Sequence, residues 1–263
     1  DDEGNFSSYS ASVPQKYQTY FNKLTVVDRL TVTQAFTGFT RIIRNESNIV
    51  PISQYPRKWL PAVELTGEGI FIEFNKDKVA RWRKAHSSRY KRMKNAMEIN
   101  SFVFNAFSET YVMLHTFAHL FIREISNICG YSTASIREKI YSEIDEKNDN
   151  VKMCGVLIYV SSPDSDSSLG GLISIADDKD VFENILDSML ERASWCSGDP
   201  LCISSTKQGY KNLNYAACHD CTLLPETSCE RFNCFLDRAS IVGLPDRSEE
   251  HTSELQSRPH LVC

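Results

Sequence analysis

Six of the nine cysteines in this chain fall between positions 196 and 234, and any fold it adopts has to accommodate that crowding. The stretch AACHDCTLLPETSCERFN, residues 216–233, carries Cys218, Cys221 and Cys229 around one short apolar patch, TLL. A patch that small buries too little surface to order the loop by itself. A metal ion, a pair of disulfides, or chemistry at a thiol must tie it down.

Cys218 and Cys221 have two residues between them, the spacing at which two thiolates from one tight turn share a tetrahedral ion. Cys229 follows after seven more residues, and one upstream cysteine from CSGDPLC would complete a set of four. Cys202, placed after the Asp199-Pro200 turn, is the preferred fourth ligand, with Cys196 as its rival. Zinc suits Cys202, Cys218, Cys221 and Cys229: four thiolates offset its charge without redox chemistry, and binding helps fold a poorly cored loop. Disulfides are disfavoured because nothing else in the chain reads as secreted. An iron–sulfur cluster could use the same ligands, but zinc is the preferred reading.

The rest of the chain sets wider bounds. Its 263 residues can bury a real core as one large domain or two modest ones. With 29 basic against 34 acidic residues, the net charge of −5 argues against an overall basic coat but leaves room for one local basic face. No run of 18 apolar residues appears, so no membrane span is expected. The opening DDEGNFSSYSAS reads as the middle of a longer protein. Residues 247–257, RSEEHTSELQS, correspond to an in-frame translation of a common sequencing adapter, so 247–263 is read as non-native and set aside, with His251 and Cys263.

Along the chain, β-branched residues over 24–42 predict short strands with a turn at Gly38. WLPAVELTGEGIFIEF (59–74) predicts a hairpin turning at TGEG. Residues 99–129, apolar on most faces and free of Pro and Gly, predict a long buried helix stopped by Gly130. Ser135 and Glu138 have capping-box spacing for a second helix, IREKIYSEI. CGVLIYV (154–160) reads as a buried strand and LISIA as another. DVFENILDSMLERASW reads as an amphipathic helix with Val181, Ile185, Met189 and Ala193 on one face. The expected class is α+β: mixed helices and a small sheet with a cysteine-rich, zinc-binding C-terminal segment.

Other candidate sites carry less. His115 and His119 stand four apart on the long helix, but Thr116 occupies the place where a metalloprotease helix needs its Glu. Two buried, hydrogen-bonded histidines are the preferred reading over a metallohydrolase. DSDSSLGG (164–171) starts like a calcium loop but has Leu169 at the sixth position and lacks the closing Glu. No P-loop motif is present, and neither are the paired histidine–lysine motifs of phospholipase-D nucleases. Neither Cys129 nor Cys154 has a spacing that suggests an organised histidine partner. The segment from Lys76 to Lys94 holds nine Lys or Arg against one Asp, interleaved with Trp82 and Tyr90. That pattern makes Lys78, Arg81, Arg83, Arg89, Lys91 and Arg92 candidates for phosphate contact, with the aromatics for base stacking.

HTFAHLFIREISNICGYSTASIREKIYS, GVLIYVSSPDSDSSLGGL, WCSGDPLC and NYAACHDCTLLPETSCERFNCFLDRASIVG together resemble the zinc-binding C-terminal domain of Mrf-type DNA repair helicases. Joined with TGFTRI and RKWLPAVELTGEGIFIEF, they are closer to the B-subunit family of the bacterial DISARM antiphage system, over roughly residues 27–243. The resemblance implies a cytoplasmic, non-catalytic accessory subunit. Its expected partners are a helicase subunit and DNA with a single-stranded portion, and no membrane. The family's zinc cysteines carry over onto Cys202, Cys218, Cys221 and Cys229. The expected organisation is a partial N-terminal region over 1–98, a helicase-associated zinc-binding domain over 99–246, and the adapter-like end.

Overall fold

The computed structural model describes residues 4–39, 49–99, 108–144, 151–162 and 169–244. The adapter-like end and the start of the calcium-like loop lie outside that set.

Its frame is an antiparallel five-stranded sheet in the order β1-β2-β5-β7-β6. These strands are β1 Phe6–Ala11, β2 Phe21–Ala35, β5 Ala62–Phe74, β6 Ile136–Tyr141 and β7 Gly155–Ser162. The short β3 Gly38–Phe39 and β4 Val50–Pro51 pair with each other. On β7 the side chains alternate: Val156, Ile158 and Val160 are buried, whereas Leu157, Tyr159 and Ser161 are half-buried. The buried face meets α3 Glu109–Cys129, with α5 Lys179–Ala193 packed behind it. Ser108 caps the start of α3 by accepting from Tyr111 N, and Gly130 ends it in the left-handed region at φ 71°.

The helix over 179–193 forms as its amphipathic pattern predicts, burying Ile185, Met189 and Ala193. The strand at 154–160 also forms. Four expectations fail. In place of short strands from residue 24 one strand, β2, runs unbroken to Ala35, and Gly38 pairs with Pro51 in β3 instead of making a turn. TGEG is no turn: Gly67 and Gly69 sit inside one continuous strand, where a Cβ on Gly67 would run into the Val160 carbonyl oxygen. These glycines permit close strand approach rather than chain reversal. IREKIYSEI is not a helix, because Ile136–Tyr141 pairs with β7 as an edge strand and buries Ile136, Glu138 and Ile140 on one face. LISIA lies within helix α4, Gly171–Asp177. Glu68 on β5, fully buried, accepts from Gly170 N and from Leu172 N at 2.8 Å, satisfying donors at the start of α4.

β2 and β5 outrun their neighbours. Among the described residues Val32–Ala35 pair only with Ala62–Leu65, so this end forms a two-stranded arm with Phe36, Trp59 and Leu60 exposed near its tip. At the base of the sheet, α1 Lys76–His86 and α2 Lys91–Ile99 carry the basic run. Asn75 caps α1 by accepting from Asp77 N and Lys78 N.

Candidate metal centre

The cysteine-rich finish lies along α3. On one stripe of that helix, His115, His119 and Arg123 follow at four-residue intervals. His119 Nδ1 is 3.0 Å from the Thr222 carbonyl oxygen. Arg123 donates to the carbonyls of His219 at 3.2 Å, Asp220 at 2.7 Å and Leu223 at 3.0 Å. A single rigid helix thus clamps the backbone of the Cys218–Cys221 knuckle.

Four thiols meet there: Cys196, Cys202, Cys218 and Cys221, with all four sulfurs within 4.8 Å of one another. Cys196–Cys218 and Cys218–Cys221 are 3.5 Å apart and Cys202–Cys221 is 3.8 Å. A tetrahedron with zinc–sulfur bonds of ~2.3 Å has sulfur–sulfur edges of ~3.8 Å, whereas a disulfide would need ~2.05 Å. Both cysteine pairs are held by their own turns. Cys196 N donates to Asp199 Oδ2 at 2.9 Å, Cys202 N donates to the Gly198 carbonyl at 2.8 Å, and Cys218 N donates to Cys221 Sγ at 3.4 Å. Burial, with Cys218 and Cys221 alongside, pushes the Cys196 thiol up to about 11. Burial and the same neighbours drive Cys202 higher still. Thiols this crowded cannot all ionise without a cation among them, and zinc fits the set.

This grouping differs from the ligand set read from the sequence. Cys196 takes the place given to Cys229, and Cys202, Cys218 and Cys221 come together as expected. Cys229 lies on the other side of the loop, with its sulfur 3.1 Å from His115 Nε2 and accepting from Arg231 N and Asn233 N. Burial alone would raise the Cys229 thiol, but His115 and His119 outweigh it and bring it to about 7. Glu138 stands 2.9 Å from His115 Nε2 and 3.4 Å from His119 Nε2. The two histidines hold its carboxyl well below the usual carboxylate range despite its burial. The histidines were legible as buried, but Glu138 was missed, because the strand that aims it inward was read as a helix.

The basic run is rearranged as well. Trp82 and Tyr90 are 3% and 1% exposed and belong to the core, so neither is a stacking platform. Arg83 pairs with Glu109 at 3.2 Å, and Arg89 pairs with Asp237 at 2.7 and 3.1 Å. Lys78 lies over the Tyr20 ring at 4.3 Å. Arg81, Lys91 and Arg92 are exposed, as are Lys84 and Lys94, and Arg92 reaches Thr206 Oγ1 at 3.2 Å.

Comparison with known proteins bears on the same region. A family model described as the MrfA Zn-binding domain matches residues 117–222, a span that contains all four clustered thiols but stops short of Cys229. The DISARM protein DrmB of Bacillus paralicheniformis is 38% identical over 92% of this chain, which spans 45% of that protein's length. A crystal structure of the DUF1998 helicase MrfA bound to DNA is similar at a TM-score of 0.38 and 12% identity, covering 74% of this chain and 21% of that one. That likeness is too low to inform fold or role. The chain is therefore similar to DrmB over the 45% of that protein it spans, and contains a match to the MrfA-type zinc-binding domain.

Proposed function

We propose that this chain is part of a non-catalytic, zinc-binding accessory subunit of a helicase-containing antiphage complex of the DISARM type. The observation that carries the proposal is the four-thiol cluster seated within the matched zinc-binding domain of a chain related to DrmB. In this reading zinc is structural: four protein sulfurs fill its coordination and leave no position for substrate. The chain's contribution is a stiff platform for a helicase partner and for DNA with a single-stranded portion, in the cytoplasm of a bacterium. No helix among the described residues is long and apolar enough to cross a membrane.

The DNA contact is assigned to the exposed cations of the two basic helices: Arg81, Lys84, Lys91, Arg92 and Lys94. The test is titration of the zinc-loaded chain against single-stranded and duplex DNA at two salt concentrations. Binding that weakens steeply with salt, and that weakens further when Arg81, Lys84, Lys91 and Arg92 are changed to Gln, supports it. The salt slope should flatten by roughly one for each phosphate that is no longer neutralised. No binding by the folded, zinc-loaded chain would favour a scaffold that holds the helicase without touching DNA. The internal pairing of Arg83 and Arg89 speaks for that second reading.

A further inference from the structure

Beside the four-thiol site, and separate from it, four more side chains converge from three segments. His115 and His119 come from α3, Glu138 from β6 and Cys229 from the loop beyond the knuckle. The two histidines are fully buried, and Glu138 and Cys229 are 4% and 6% exposed. One donor atom from each lies within 4.8 Å of the other three.

The hydrogen bonding leaves a gap in this group. A carbonyl only accepts, so His119 Nδ1, bonded to the Thr222 carbonyl, carries a proton, and in the neutral ring Nε2 holds a lone pair. That lone pair faces the Glu138 carboxylate 3.4 Å away and has no hydrogen-bond partner. Glu138 Oε2 is also buried without a partner. A lone pair turned towards a carboxylate, sealed from water, calls for positive charge between them, from a proton or a metal ion. Protons on both rings would put two imidazolium groups edge to face at 4.5 Å between centroids in the core, an arrangement that burial makes costly. One divalent ion answers all four groups at once: two neutral imidazoles, a carboxylate and a thiolate around a doubly charged metal sum to zero. For zinc, tetrahedral edges are ~3.3 Å between nitrogen and oxygen and ~3.6 Å between nitrogen and sulfur. The 3.4 Å between His119 Nε2 and Glu138 matches the first of these, while the 2.9 and 3.1 Å at His115 Nε2 are shorter and would widen by a few tenths of an ångström around an ion. The Thr222 carbonyl supplies the outer contact that orients a metal-bound histidine.

We infer that His115, His119, Glu138 and Cys229 form a second zinc site. It is closed, with four protein donors and no exposed position, and so it is structural rather than hydrolytic. It pins the 222–234 loop to α3 and β6, as the first site pins the knuckle to the 196–202 turn.

The test is metal content of the whole chain by elemental analysis, with cobalt substitution as a second readout. One zinc ion at each site is expected in the unaltered protein. His119→Gln and Glu138→Gln should each lose one zinc and keep the other, and Cys196→Ser should lose the four-thiol zinc and keep this one. Cobalt should fill two sites, with the second giving a weaker sulfur-to-metal band, since it has one thiolate against four. If the histidine and glutamate variants fail to fold, the cobalt titration of the unaltered protein decides. A single zinc per chain, unchanged in Glu138→Gln, or cobalt saturating at one four-thiolate site, would overturn the assignment.

Discussion

Asp237 and Arg238 are neighbours in the chain, and they grip opposite sides of the domain. Asp237 takes Arg89 at 2.7 and 3.1 Å and the Tyr90 hydroxyl at 2.9 Å, while its backbone N donates to Thr116 Oγ1 at 3.0 Å. Arg238 donates to Asp199 at 2.6 Å and to the Ala193 carbonyl at 2.8 Å. One dipeptide therefore locks the basic helices on one side and the Cys196–Cys202 turn on the other.

Breaking either grip should be costly, because both side chains are fully buried. Asp237→Ala leaves the Arg89 cation and the Tyr90 hydroxyl without their shared partner, and Arg238→Met takes the buried cation from Asp199 and leaves the Ala193 carbonyl without its donor. Each should lose about 3–5 kcal/mol in denaturant unfolding. Lys139→Ala removes a pair with Glu230 in which the lysine is 55% exposed, and should stay within about 1 kcal/mol of the parent. Equal losses in all three would show that burial does not set the cost.

The cysteines should separate by zinc content. Cys196→Ser and Cys221→Ser are expected to release the four-thiol zinc and loosen the C-terminal third, read by protease cleavage after residue 193. Cys234 is 1% exposed and stands outside both clusters, so Cys234→Ser should leave zinc bound and cost only packing. Zinc retained by Cys196→Ser but lost by Cys234→Ser would refute the grouping.

Glycines in β5 should grade by the space above them. A methyl at Gly67 runs into the Val160 carbonyl oxygen, one at Gly69 meets the Ile158 carbonyl oxygen at 2.8 Å, and one at Gly4 meets nothing within 4 Å. Thermal melts should rank Gly67→Ala lowest, Gly69→Ala next, and Gly4→Ala unchanged, with about 1–3 kcal/mol lost at the first. A stable Gly67→Ala would mean that β7 can move away.

Glu68→Gln should destabilise by about 1–3 kcal/mol, since the amide can face only one of the two donors at the start of α4 with its oxygen. Amide signals of Gly170 and Leu172 would report the change, and unshifted signals would rule out the capping role.

Much of this was legible from local patterns. The long helix showed in its unbroken apolar run, its stop in Gly130 and the metal in the Cys218–Cys221 spacing. The division of cysteines was not legible, because spacing along the chain cannot tell that Cys229 turns towards His115 while Cys196 turns towards Cys218. Edge strand β6 was hidden by a capping-box pattern at Ser135 and Glu138: pairing with β7 overrode local helix preference, and Glu138 serves the core rather than a helix end. TGEG misled for a related reason. A glycine needed for close approach carries the same letter as one needed for a turn.

The two-stranded arm has a consequence for how the protein breathes. Val32–Ala35 and Ala62–Leu65 are bonded only to each other, with no third strand beside them among the described residues. Opening there exposes little apolar surface and disturbs no metal ligand. Amide hydrogens along the arm should therefore exchange with solvent through small local openings, while those of Val26 and Ile70, mid-sheet and fully buried, wait for the whole domain to unfold. The chain thus carries two clocks on the same pair of strands, fast at the tip and slow at the root.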